Sequence, residues 1–144
     1  MKRISINDVD GDAFKGMFAL ENYIKESGFP RKLKHLIKIR ASQMNGCAYC
    51  VDMHTQEALA DGESQRRIFA LSAWKESPLF TEEERALLQL TEEVTFISEE
   101  GVTDDTYEKA LKFYGEKTLA QIIMVIVAIN SWNRIAVSTK MIFG

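Results

Sequence analysis

The sequence predicts an all-α fold, a compact helical domain of six to seven helices. Three observations carry the prediction. Apolar residues recur at three- and four-residue intervals almost throughout. Helix stop signals cut the chain into segments of helical length. The chain has only two prolines and few turn dipeptides, which leaves little room for a sheet.

Taken in order, Phe14, Met17, Phe18, Glu21 and Ile24 fall at helical spacing, and Gly28-Phe29-Pro30 stops that helix. The stripe Phe14, Met17, Phe18 reads as core. A second segment carries Leu33, Leu36, Ile37, Arg40 and Met44 and ends near Asn45-Gly46. Its basic residues Arg31, Lys32, Lys34, Lys38 and Arg40 read as a solvated helix face. A third helix runs from about Cys47 to Ala60, with Asp61-Gly62 as its stop. Ile68, Phe69, Leu71, Ser72 and Trp74 predict a fourth, closed before Pro78.

Thr81-Glu82-Glu83-Glu84 is a capping-box pattern, a hydroxyl at the cap and a carboxylate three residues on. Leu87, Leu90, Val94 and Ile97 follow on one face, and Gly101 ends the segment. Asp104 or Asp105 is the expected cap of the next helix, which carries Tyr107, Ala110, Leu111 and Tyr114. Gly115 separates it from a last segment, Leu119 to about Met141. Within that segment Ile122 to Ile129 is β-branched enough to suit a buried strand. No second strand of similar quality exists to pair with it, so it reads as a helix buried on most sides. A subunit interface would supply the cover such a helix needs.

The 144 residues suit one domain, 1–144, or one protomer of an oligomer. A hydrophobic fraction of 46% is enough for a core. A net charge of −3 and a pI near 5.5 argue against a nucleic-acid surface. No apolar stretch follows Met1-Lys2-Arg3 to make a secretory signal, and the longest apolar run is too short for a membrane span. A cytoplasmic protein is expected, with neither nucleic acid nor membrane as partner and no cofactor.

The chemistry concentrates in Gly46-Cys47-Ala48-Tyr49-Cys50-Val51-Asp52-Met53-His54, a C-x-x-C-x-x-x-H pattern. It holds both cysteines and one of the two histidines. On a helix Cys50 and His54 share a face, and Cys47 lies within bridging reach of Cys50. A helix N-terminus stabilises an anion, so it favours thiolate over thiol. His54 is placed to take the proton of Cys50, and Cys47 to resolve an oxidised Cys50 as a disulfide. These steps are those of peroxide reduction. A rival reading is zinc, with His35, Cys47, Cys50 and His54 as two imidazoles and two thiolates, although H-x11-C-x2-C-x3-H is no familiar finger. The blandest reading makes both cysteines small buried apolar groups.

The block from Leu36 to His54, with Ala70 to Thr81 and Asn130-Ser131-Trp132-Asn133-Arg134, resembles the alkylhydroperoxidase D-like branch of the carboxymuconolactone decarboxylase family. The resemblance spans about residues 13 to 140. It implies an all-helical fold assembled as trimers, or as hexamers built from dimers, with thiol-dependent peroxidase activity. It makes Cys50 the peroxidatic cysteine, Cys47 the resolving cysteine and His54 the relay histidine. It also implies a hydroperoxide substrate and a dithiol reductant such as a lipoyl protein or thioredoxin.

Two positions depart from the pattern. The family's relay glutamate, twelve residues before the first cysteine, is His35 here, a candidate catalytic relay residue or else a helix-surface or interface residue, and the residue between the cysteines, a histidine in some peroxidases, is Tyr49. Asp52, Glu57 and Glu21 are the candidates for the missing carboxylate. Ser42, Gln43 and Asn45 are expected to hydrogen-bond the motif turn, and Trp132, Asn133 and Arg134 to make contacts near the site or an interface. An alternative function is a redox-responsive oligomeric protein on the same scaffold with little peroxidase turnover.

Overall fold

The computed structural model of the chain describes residues 1–143. Among them are eight α-helices and no strand. They are α1 (Ile6–Val9), α2 (Lys15–Glu26), α3 (Arg31–Met44), α4 (Ala48–Ala60), α5 (Gln65–Ala70), α6 (Glu82–Thr95), α7 (Ile97–Glu100) and α8 (Asp104–Thr139). A 3-10 segment, Leu71–Glu76, continues α5. The count exceeds the expected six to seven because α1 and α7 are single turns of four residues each.

The punctuation is mostly where the sequence puts it. Thr81 caps α6 in a full capping box with Glu84. Gly115, at φ 75°, breaks the helical path inside α8. The cap of α8 is Thr103, whose side chain accepts from the Thr106 N–H, and neither Asp104 nor Asp105. The two aspartates occupy the first turn instead, where their charge complements the helix dipole.

The core lies where α3, α6 and α8 meet, with α4 packed on α3. Leu36, Ile37 and Ile39 of α3, Leu87, Leu88 and Leu90 of α6, and Ile122, Val125, Ile126 and Ile129 of α8 are all fully enclosed. Truncating any one of these large side chains to alanine costs about 2–5 kcal/mol. The Ile122–Ile129 stretch is helical, yet it is not covered all round: Met124 and Val127 face outward. By length and composition α8 would pass for a membrane span. Its inward face is the centre of the core.

Two expectations about side-chain placement are corrected. The basic cluster on α3 is a solvated face at Arg31 and Lys32 only. Residues 35 to 39 are buried in succession, so α3 is enclosed on every side at that level, and Lys38 is only 5% exposed. The buried cation is tolerated because Glu21 of α2 meets it at 3.1 and 3.2 Å. Arg40, half-buried, is bound by Glu92 of α6 at 3.0 Å. The second is the stripe Phe14, Met17, Phe18, which is not core. Phe18 is exposed, and Phe14 packs edge-on against Trp132 of α8 at 5.4 Å between ring centres.

Candidate active site

The site begins with the turn between α3 and α4. Gly46 adopts φ +65°, a left-handed conformation that glycine enters without strain and that ends α3. The Cys47 N–H donates to the Ser42 carbonyl at 3.0 Å, and the Asn45 N–H to the Ala41 carbonyl at 3.0 Å. The Asn45 amide reaches across to α8, donating to Asn130 and Asn133 at 2.9 Å each. Asn133 in turn donates to the Ser42 hydroxyl at 3.0 Å. The Ser42, Asn45 and Asn133 contacts expected near the motif therefore exist, and they tie the turn to the last helix.

Cys47 is the N-cap of α4, and its sulfur accepts the Cys50 N–H at 3.2 Å. The sulfur takes the acceptor role that serine or aspartate usually fills at a cap. Cys47 and Cys50 are joined as a disulfide with their Cα atoms 5.3 Å apart. Both lie in the core, 1% and 2% exposed.

His54 follows Cys50 by one turn and is 4% exposed. Its Nδ1 meets Glu57 Oε2 at 3.1 Å, and its Nε2 is buried without a hydrogen-bond partner. Burial, and then the charge of Lys38, push the imidazole below its ordinary value, against the opposing pull of Glu57. The ring is therefore neutral at pH 7. A carboxylate accepts only, so Nδ1 carries the hydrogen and Nε2 keeps its lone pair. Of the three candidate carboxylates, Glu57 is the one on His54. Asp52 accepts from Gln56, and Glu21 is held by Lys38 and by the Trp132 indole N–H at 3.1 Å.

A cavity of about 400 Å³ opens on these groups, with Cys50, His54, Lys38, Glu21, Tyr49 and Trp132 in its wall. His35 is not among them. Its Nε2 bonds Asp61, the C-cap of α4, at 2.5 Å, its Nδ1 is buried without a partner, and it lines a separate cavity with Arg31 and Arg67. His35 and His54 thus share no hydrogen bond. Nor do the histidines and cysteines form the zinc shell considered above: among the described residues no three His, Cys, Asp or Glu side chains are grouped to hold a metal ion. A larger groove, about 900 Å³, is lined by Arg40, Trp74, Glu92 and Phe113 and holds neither cysteine.

Lys38 is the site residue that sequence reasoning missed. The signal was present in Leu36, Ile37 and Ile39, which point in different directions around one helix and so enclose whatever lies between them.

The model of the carboxymuconolactone decarboxylase family matches residues 11–93, which contain both cysteines and both histidines. The chain belongs to this family. Its family relatives include YdfG of Bacillus subtilis (strain 168), an uncharacterized protein 41% identical over 137 residues, covering 95% of this chain and 93% of YdfG. A solved structure of a protein of unknown function from Agrobacterium tumefaciens, for which an AhpD antioxidant-defence role has been suggested, superposes with a TM-score of 0.96. It is 44% identical and covers 100% of this chain and 99% of that one. The debrominase Bmp8 in complex with 2,3,4-tribromopyrrole gives a TM-score of 0.84 at 18% identity, covering 95% of this chain and 73% of that one. At that identity the likeness speaks for the fold alone.

Proposed function

We propose that the protein is a thiol-dependent peroxidase that cycles Cys47 and Cys50 between dithiol and disulfide. One observation carries the reading: the two cysteines are bridged at the start of α4, and one turn on stands a neutral imidazole with an unpartnered, buried Nε2, in the wall of the same cavity as Cys50.

In the reduced protein His54 takes the Cys50 proton, and the Lys38 charge and the α4 N-terminus favour the thiolate left behind. The Cys50 sulfur attacks the terminal peroxide oxygen. The O–O bond breaks, Cys50 becomes a sulfenic acid, and the alcohol departs with the proton returned by His54. The Cys47 thiol then attacks the Cys50 sulfur; a disulfide forms and water leaves. An external dithiol, such as a lipoyl protein or thioredoxin, restores both thiols and becomes a disulfide itself. Glu57 holds the His54 ring in the tautomer that leaves Nε2 free, the part a relay glutamate would otherwise play. His35, bonded to Asp61 and lining a separate cavity, has no step in this sequence. The cycle suits a cytoplasmic setting where reduced dithiols are supplied. A trimer or hexamer would cover the outward Met124 and Val127 of α8.

A second reading is supported by the burial of both sulfurs: the pair changes redox state but turns peroxide over slowly. Peroxide consumption with dihydrolipoamide as reductant separates the two. Wild type should consume organic hydroperoxide catalytically, and Cys50→Ser should lose that activity entirely. Turnover that survives Cys50→Ser sinks the peroxidase assignment, and a folded, reduced wild type without turnover leaves the redox-responsive reading.

A further inference from the structure

The cavity on Cys50 carries more positive than negative charge. Arg31, Lys34 and Lys38 line it from successive turns of α3, against Glu21 and Glu57. Lys38 is taken by Glu21, and Arg31 by Asp61 outside the cavity. Lys34 is different. It is half-buried, and no hydrogen bond or ion pair holds its ammonium group. Glu21 cannot turn to it without releasing Lys38 and the Trp132 indole, and Glu57 is engaged with His54.

Burial and then the charges of Lys38 and Arg31 press the Lys34 amine below its ordinary value, and Glu21 and Glu57 do not offset them. A cation in that position is favourably met by a further anion. The wall around it is apolar, with Phe18, Met53, Trp132, Ala136 and Met141. A ligand that satisfies both features has one negative head group and an apolar body.

We infer that the site selects organic hydroperoxides bearing a carboxylate, the carboxylate on Lys34 and the apolar body along Phe18, Met53 and Trp132. This rests on the peroxidase reading above. Lys34 acts as a specificity residue: it binds the end of the substrate remote from the O–O bond and takes no part in breaking it.

The test compares para-carboxy cumene hydroperoxide with its methyl ester, two peroxides that differ in the charge. Wild type should favour the acid in kcat/KM by about tenfold, the scale of one hydrogen bond to a charged partner. Lys34→Gln should bring the acid-to-ester ratio close to one, and Lys34→Arg should keep the preference. Equal kcat/KM in wild type, or a preference unchanged in Lys34→Gln, overturns the inference. So does a Lys34→Gln defect confined to the KM of an anionic reductant. If wild type consumes neither peroxide, the peroxidase reading fails and the anion site is judged separately. Calorimetry with para-carboxy cumyl alcohol then decides: binding weakened about tenfold in Lys34→Gln supports the site, and no binding, or equal binding, removes it.

Discussion

The two histidines of this chain are alike in isolation and differ in their surroundings. Each is almost fully buried, each bonds a carboxylate through one nitrogen, and each leaves the other nitrogen without a partner. His54 takes its carboxylate from the next turn of its own helix, so that bond holds the ring but joins no second helix. His35 takes Asp61 from 26 residues away. That bond, shared with Arg31, fastens the start of α3 to the end of α4. On the function proposed above, the same pair of groups serves as a proton carrier where it opens on the cavity of Cys50 and Lys38, and as a fastening where it joins two helix ends.

Substitution should separate the two roles. His54→Gln is expected to lower peroxide kcat/KM by about a hundredfold or more, the usual weight of a positioned general base. His35→Gln should leave kcat/KM within about threefold and should instead lower the urea midpoint of unfolding. An equal loss of activity in the two variants, with both folded, would break the distinction.

Lys38 sharpens the comparison, because it lines the cavity of His54 and not the one that His35 lines. Removing a nearby cation raises a thiol pKa by about one unit, so Lys38→Met should cut Cys50 alkylation by iodoacetamide about tenfold at neutral pH. The rate should recover as pH rises. A parallel loss at all pH values would mean the lysine serves packing alone.

The smallest effect is on stability. The folded protein holds the His54 ring below its ordinary 6.5, so folding disfavours its proton. Stability is therefore full above that value and declines as pH falls through the depressed one. Asp61, held below its ordinary 3.8 first by His35 and then by Arg31, adds a further loss only in more acid solution. Urea titrations at about pH 7.5 and 5.5 should show wild type weakening and His54→Gln weakening less. Identical slopes would show that burial of the His54 ring carries no proton penalty.

What the sequence disclosed was local. The Thr81 capping box, the Gly115 break and the C-x-x-C at a helix start each depend on residues within one turn of one another. Thr103, Asp104 and Asp105 can all cap a helix, so the sequence points to Asp104 or Asp105 as readily as to Thr103, and only the backbone path chooses. The errors were tertiary. Lys38 looked solvent-facing because it stood among other cations, and Glu21, which makes its burial tolerable, lies 17 residues away on another helix. Phe18 looked like core because its spacing is helical, but spacing names a face without saying what covers it. His35 could be aligned with the family's glutamate position; its turn toward Asp61 could not be read before both helices were placed.

The amide bridge from Asn45 to Asn133 spans 88 residues of chain. During synthesis the two thiols are made long before the helix that roofs them. At ordinary elongation rates the interval is roughly 4 to 18 s. A ribosome-bound chain in that interval has a complete C-x-x-C pair and no finished pocket, so its cysteines are open to any oxidant or disulfide carrier they meet. Oxidation at that stage would follow the surroundings of the nascent chain, and selectivity for a particular oxidant would arrive only with the last helix.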